Sequence, residues 1–195
     1  MPTTRVRRLA QFLAIATLIL CPICSTIAQQ DKQEWAPPKA TEQHKLLQED
    51  VGTWDAVVKV YPMKDADPIE SKGVEKNELL KGGMWLVSRF EGEAAGMPFT
   101  GVGTTGYDPV EKKYVGSWVD TMTPHLMVWK GDYDEETKTM TAVGESRDPY
   151  MGKPYNIKLI TSYNDDGTRV FEFHAPSPDG KHRKMMEIHY TRRAE

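Results

Sequence analysis

The chain has 195 residues, with 25 lysines and arginines against 28 aspartates and glutamates, and a formal net charge of −3. A net negative charge argues against nucleic acid or anionic lipid as the main partner, because both bind basic faces. The two cysteines, Cys21 and Cys24, lie near the N-terminus. The length after the N-terminal segment suits one domain, and without disulfides its core must stabilise it.

The N-terminus has the pattern of a secretory signal peptide. Arg5 to Arg8 carries three arginines, Leu9 to Ile23 is apolar, and Ser25 to Ala28 has small residues at the usual cleavage spacing. We therefore expect residues 1–28 to be removed and the protein to be exported, either periplasmic or extracellular. Cleavage removes three arginines and no acid, which leaves 22 basic against 28 acidic residues. No later run is long or apolar enough to predict an integral membrane segment.

The predicted domain begins after a polar stretch. Gln29 to Ala40 contains Pro37 and Pro38 and is expected to be a flexible linker. Thr41 is a suitable N-cap for a short helix that ends at about Glu49. This helix has few apolar positions, so it must pack against something larger. Residues 41–195 are the predicted folded domain.

A strand, a turn and a second strand occupy the middle of the chain. Phe99 to Gly106 is rich in β-formers, a turn opens at Tyr107-Asp108-Pro109, and alternation resumes from Tyr114 to Trp118. The same unit, a strand that ends in Tyr followed by an acidic or Asn-rich turn and a basic residue, recurs from Tyr133 and from Tyr163. Such a repeat is typical of a β-meander.

The remaining pattern extends this meander to about ten strands. They start near Val51 and end near Arg192, with connections of hairpin length and no helical periodicity after Glu49. An open sheet of this size would leave two exposed edges, which closure removes. The prediction is an all-β, up-and-down antiparallel β-barrel with one short N-terminal helix.

The spacing Gly101-x-Gly103-x-x-Gly106 matches a dinucleotide-binding fingerprint but lacks the helix that such a site needs. We interpret these glycines as room for bends in the barrel or for large neighbours such as Trp118.

Two sets of motifs resemble known families. Gly52-Thr53-Trp54 after a short helix resembles the Gly-x-Trp opening of lipocalin-like, or calycin-like, barrels. That resemblance implies that Trp54 packs over the closed end and that Arg192, from the last strand, covers it. The stretches Val51 to Trp54, Gly96 to Asp108 and Met186 to Arg192 resemble a bacterial family known as domain of unknown function 1579. This second resemblance implies a barrel and carries no activity.

A barrel of ten strands leaves an interior wide enough for one small molecule. The chain offers flexible methionines, aromatic rings and strand-borne charges to line it. We predict binding of a small hydrophobic or amphipathic ligand, although each apolar residue could simply pack the core. The candidate ligand-binding residues are Trp85, Arg89, Phe99, Trp118, Asp120, Met127, Trp129, Glu145 and Arg147.

Two alternatives remain open. The first is a small barrel enzyme, an isomerase, cyclase or hydrolase of a lipophilic substrate. It would use Asp120, Glu145 or Glu187 as acid or base beside Arg147 or Arg89, and would need at least two of these groups together inside the barrel. The second is an interaction module of the cell envelope with a filled interior and an apolar outer patch. Outer-face ion pairs are the ordinary interpretation of these charges.

The sequence predicts no metal site and no cofactor. The histidines have neither helical i, i+4 spacing nor a cysteine partner. A haem pocket with an inward His125 or His174 is the remaining possibility. No Gly-x-Ser-x-Gly nucleophile motif occurs. The sequence leaves the oligomeric state open.

Overall fold

The computed structural model describes residues 36–62, 66–94, 96–148, 152–177 and 180–194. The predicted signal peptide and the first part of the predicted linker lie outside the described residues. Ala36 to Ala40 forms neither helix nor strand. A short helical segment follows, a 3₁₀ turn at Glu42–Lys45 continued by the α-helix α1 at Leu46–Glu49. The predicted N-terminal helix is therefore confirmed.

Ten strands follow the helix and account for most of the described chain. They are Gly52–Val60 (β1), Ile69–Leu79 (β2), Trp85–Ala94 (β3), Met97–Asp108 (β4), Lys113–Asp120 (β5), Met127–Asp134 (β6), Thr139–Arg147 (β7), Pro154–Tyr163 (β8), Arg169–Pro176 (β9) and His182–Arg192 (β10).

The strands form one closed barrel in which each strand is antiparallel to its sequence neighbours. The cylinder closes between β1 and β10, where Trp54 lies opposite Arg192 and Ala56 opposite Tyr190. Both edges of the sheet are therefore paired, which removes the exposed backbone groups of an open sheet. The predicted up-and-down barrel of about ten strands is confirmed.

The hairpin turns show why the repeated sequence unit works. Asp108 accepts hydrogen bonds from the backbone N–H groups of Val110 and Glu111 at 2.8 and 3.1 Å, and Asp134 caps the next such turn in the same way. Lys112 and Lys138 close these turns at φ values of 55° and 51°. Each carboxylate satisfies backbone donors that the turn leaves unpaired.

Alternation along the strands sends one set of side chains into the barrel. On β1 the inward residues are Trp54, Ala56 and Val58, all buried. They form one core cluster with Phe90 and Tyr190. A second cluster, centred on Ala142, Ile157 and Leu159, fills the facing wall, and Phe171 packs against both.

One end of the barrel is covered by residues Glu42–Glu49, and we name it the helix end. The Tyr114 hydroxyl donates to the carbonyl oxygen of Gln43 at 2.8 Å. The His44 ring is buried and meets the Tyr107 ring edge-on, with centroids 5.8 Å apart. Leu47 is also buried. The short helix thus has the larger packing partner that its length requires.

Among the described residues, no helix is both long enough and apolar enough to span a bilayer.

Candidate functional site

The barrel interior at the end away from the helix is lined by apolar side chains that keep part of their surface exposed. These residues point inward by strand alternation, yet all are half-buried rather than buried. We name them the inner apolar surface: Phe99, Trp118, Met127, Trp129, Tyr155, Phe171, Phe173 and Met186. An inward residue retains exposure only where solvent or a ligand can enter, so this part of the interior is accessible.

Two tryptophan rings of this surface lie flat against the barrel wall. A Cβ atom on Gly101 would sit 2.1 Å from Cζ2 of Trp118, and one on Gly116 would sit 2.2 Å from Cζ2 of Trp129. Only glycine leaves room for rings placed this way. The interpretation of the Gly101 region as space for Trp118 is confirmed. The rings therefore extend along the wall, and they pack against the two core clusters.

Asp120 is the predicted candidate acid that faces inward. It lies at the rim, where its Oδ2 accepts a hydrogen bond from Nε1 of Trp118 at 2.9 Å. Its Oδ1 accepts from the backbone N–H groups of Met122 and Thr123, both at 2.8 Å. Both oxygens are thus occupied in holding the Trp118 ring and the turn after β5.

The helix end contains a buried network of charged and polar groups around Arg169. The guanidinium donates to Oδ1 of Asp50 at 2.7 Å and to Oε1 of Glu75. Tyr163 donates to the other oxygen of Asp50 at 3.1 Å, and Tyr190 to the other oxygen of Glu75 at 2.9 Å. One arginine thus binds two carboxylates, and each carboxylate also accepts a hydrogen bond from a tyrosine hydroxyl.

Burial governs the protonation of this network. The pKa of Asp50 is raised, mainly by burial, although the Arg169 guanidinium opposes the shift. Burial also raises the pKa of the Tyr163 and Tyr190 hydroxyls, and the neighbouring carboxylates raise them further. Burial lowers the pKa of Arg169, but Asp50 and Glu75 outweigh it, so the net shift is upward. The tyrosines therefore stay protonated donors and the arginine stays charged.

Trp54 lies between two arginines at this end. The Arg169 guanidinium is 4.6 Å from the centre of its ring, and that of Arg192 is 4.2 Å from it. Arg192 also donates to the backbone carbonyl oxygens of Glu49 and Val51. The structure thus brings Trp54 and Arg192 together, as the lipocalin-like resemblance implied. Arg169, on the interior side, had not been predicted to take part.

Comparison with protein families matches residues 39–192 to a family described as "Protein of unknown function (DUF1579)". The chain belongs to this family. The family resemblance predicted from the sequence is therefore confirmed, and the family description states no activity. A search among curated proteins finds no match. Among solved structures the chain is similar to a redesigned beta barrel, with 13% identity and a TM-score of 0.37, over 80% of this chain and 100% of that one.

In this DUF1579 member, four of the predicted ligand-binding residues lie on the outer face of the barrel. Trp85 is 40% exposed and covers Gly106 from outside. Arg89 is exposed. Glu145 and Arg147 share an outer face and form an ion pair with each other at 3.2 Å. A molecule inside the barrel would not touch these side chains.

A shallow groove of about 1040 Å³ runs over this outer face of the DUF1579 barrel. Trp85 and Glu145 line it together with Val128 and Val143, which are 52% and 56% exposed. The sequence had indicated Trp85 and Glu145 for a site inside the barrel, whereas they lie on its outer face, because alternation alone does not say which set of residues faces inward.

Glu187, the remaining candidate acid, points to the outer face of the barrel, where neighbouring side chains bury it in a cluster on β9 and β10. Its carboxylate contacts Lys184 and His189. Glu172 in turn accepts from Lys184 at 3.1 Å and is 2.7 Å from Nε2 of His174. His174 is thus an outer-face residue, and His125 lies in the connection between β5 and β6. The candidate acids and bases of an interior enzyme site do not converge. No group of three or more histidines, cysteines or acids suited to a metal ion occurs among the residues described.

Proposed function

We propose that this DUF1579 protein binds a small hydrophobic or amphipathic molecule inside its barrel. The observation that carries the proposal is the inner apolar surface, whose inward-facing rings remain half-exposed. Apolar area left in contact with water inside a cavity favours a ligand, at about 25 cal/mol for each Å² covered. Sites for small molecules are typically concave and mainly apolar, with few polar groups.

The polar groups nearby indicate which ligands fit. The carboxylate of Asp120 is occupied by Trp118 and by backbone donors. Arg183, at the same end, donates to the carbonyl oxygens of Tyr61 and Pro62 at 3.3 and 3.1 Å. Asp120 and Arg183, two charged residues described at this end, are thus already occupied, which favours a neutral or weakly polar ligand over a fatty-acid carboxylate.

Export belongs to the same proposal. The arginine-rich start, the apolar run and the small residues before Gln29 support a cleaved signal peptide. N-terminal sequencing of the protein recovered from its native host should give a chain that starts at Gln29. A mature chain that retains Met1 in the cytosol would contradict export without affecting the barrel.

The binding proposal is tested with the apolar fluorescent probe N-phenyl-1-naphthylamine. We expect saturable binding, with energy transfer from Trp118 and Trp129. Ser146 faces inward opposite Tyr155, so Ser146→Phe should obstruct the barrel interior at the end away from the helix and weaken binding of the probe. Glu145→Phe puts the same ring on the outer face one residue away and should leave binding unchanged.

Circular dichroism of both variants checks that the barrel is intact. Native mass spectrometry of protein purified without detergent then tests for a retained small molecule. Equal effects of the two phenylalanine variants, or no saturable binding by a folded protein, would contradict an interior site.

A further inference from the structure

A second cavity lies at the helix end, separate from the inner apolar surface. It is a cleft of about 640 Å³ between the helix and the hairpins that join β6 to β7 and β8 to β9. Trp54 and Arg169 are among its lining residues. They belong to the buried network of the helix end, so the cleft opens on the opposite side of that network from the inner apolar surface.

Tyrosine rings line this cleft. Tyr133 and Tyr163 meet edge to face, with ring centroids 5.9 Å apart and an angle of 82° between the planes, so they form two walls of a corner. Tyr114 adds a third ring to the lining. The face of an aromatic ring carries partial negative charge and attracts cations.

Most basic groups of the cleft are already paired. Lys45 binds Glu42 at 2.7 Å, and Lys138 binds Asp165 at 2.5 Å. The guanidinium of Arg169 is held by two buried carboxylates, as described above. Arg192 stacks on Trp54 and donates to backbone carbonyl oxygens. The positive charge of Arg192 therefore lies beside Trp54.

Two acids of the cleft lie outside these ion pairs. Glu49 and Glu135 line it, and their carboxylates make no ion pair within the described ranges. Both act on Tyr133: partial burial raises the pKa of its hydroxyl, and Glu135 and Glu49 raise it further, against the opposing charge of Lys138. Two carboxylates outside the ion pairs of the cleft therefore act on the tyrosine corner, together with the charge of Lys138.

We propose that the helix-end cleft binds an organic cation of the alkylammonium or quaternary ammonium class. The tyrosine rings provide the faces for the cation, and Glu49 and Glu135 provide the neutralising charge. A cation of this class has an apolar rim that suits an aromatic corner better than a hydrated metal ion, and the cleft is large enough to take it.

We choose two probes, choline and its uncharged carbon isostere 3,3-dimethylbutan-1-ol. They have nearly the same shape and differ in charge, so a difference in affinity reports the contribution of the charge. Isothermal titration of the folded protein should show saturable binding of choline. The isostere should bind more weakly by about 5- to 30-fold, the range that cation–π contacts support. Added salt should weaken choline binding, because the two acids are exposed to solvent.

Variants locate the site. Tyr133→Leu removes the ring and should weaken choline binding by about 5-fold or more, whereas Tyr133→Phe should retain most of it. Glu135→Gln should weaken binding by about 2- to 5-fold. Glu136→Gln is the matched control, since Glu136 lies next in the same hairpin and does not line the cleft. Circular dichroism confirms folding of each variant.

Four results would overturn the assignment. One is equal affinity for choline and its isostere, and another is an equal effect of Glu135→Gln and Glu136→Gln. The third is the absence of saturable choline binding by folded wild-type protein. If choline binding is lost in Ser146→Phe but not in Tyr133→Leu, the cation binds in the barrel interior and the cleft assignment is wrong.

Discussion

Replacement of Arg169 by methionine tests the buried network of the helix end directly. Methionine fills a similar volume but removes the charge that faces Asp50 and Glu75, whose side chains are 11% and 7% exposed. Two carboxylates would then remain buried without a cation. Loss of one partner from a buried ion pair typically costs about 3–5 kcal/mol, because the remaining charge is no longer compensated. We expect a loss of unfolding free energy in that range.

Two comparisons isolate the cause. Arg193→Met removes an arginine of the same barrel end that pairs with Asp55 on the surface, where both side chains are about half exposed, and it should change stability little. The triple variant Arg169→Met, Glu75→Gln, Asp50→Asn removes the uncompensated charges as well. It should recover part of the loss, since an uncharged buried group is less costly than an unpaired ion.

Urea unfolding followed by tryptophan fluorescence and circular dichroism measures these differences at pH 7 and pH 5. The pKa of Asp50 is raised by burial, so the folded state holds its proton at higher pH than the unfolded state does. The stability that this group contributes is present in acid and decreases as pH rises through its folded pKa. Because the Arg169 guanidinium lowers the pKa of Asp50, its removal should raise that pKa further, so the stability deficit of Arg169→Met should shrink at pH 5. A deficit below about 1 kcal/mol, or one that does not depend on pH, would refute the reasoning.

Two further predictions concern the helix and the wall. His44 is buried and its Nδ1 accepts a hydrogen bond from the backbone N–H of Thr41 at 2.9 Å, and burial lowers its pKa although a bond to the Tyr107 backbone opposes this. The stability that His44 contributes should be complete above about pH 6.5 and lost as pH falls through the folded pKa. The protection of the helix amides against hydrogen exchange, corrected for the intrinsic effect of pH on the exchange rate, should therefore fall in acid, and this fall should disappear in His44→Gln. Gly101→Ala should cost about 1–3 kcal/mol in thermal unfolding by displacing the Trp118 ring. Trp118→Leu in the same chain should remove most of that penalty, and independent, additive effects would contradict the contact.

The strand order could be predicted from the sequence because each hairpin carries its own signal. Asp108 and Asp134 accept hydrogen bonds from backbone N–H groups of their turns. Glycines mark the places where aromatic rings lie against the barrel wall. These are local interactions, which a single sequence reveals. The number of strands then leaves closure as the way to pair both edges.

Whether a charged strand residue points into the barrel or outward could not be predicted, because this depends on the register between distant strands. β2 is polar on both faces, so nothing local distinguishes buried Glu75 from exposed Lys76. Glu75 is buried because Arg169 reaches it from β9 across the barrel. One local signal was available: Tyr163 and Arg169 flank a short hairpin and lie opposite each other, so they share a face.

The tyrosine repeat has a second consequence that follows from topology. In an up-and-down barrel alternate strands run in the same direction, so β4, β6 and β8 end at the same rim. The residues that end the repeated units, Tyr107, Tyr133 and Tyr163, therefore collect at the helix end, where they meet His44, one another and the Asp50 carboxylate. The motif that sets the turns thus also supplies the aromatic groups of that end. The buried charges around Arg169 are paired there, whereas the inner apolar surface lies towards the opposite end.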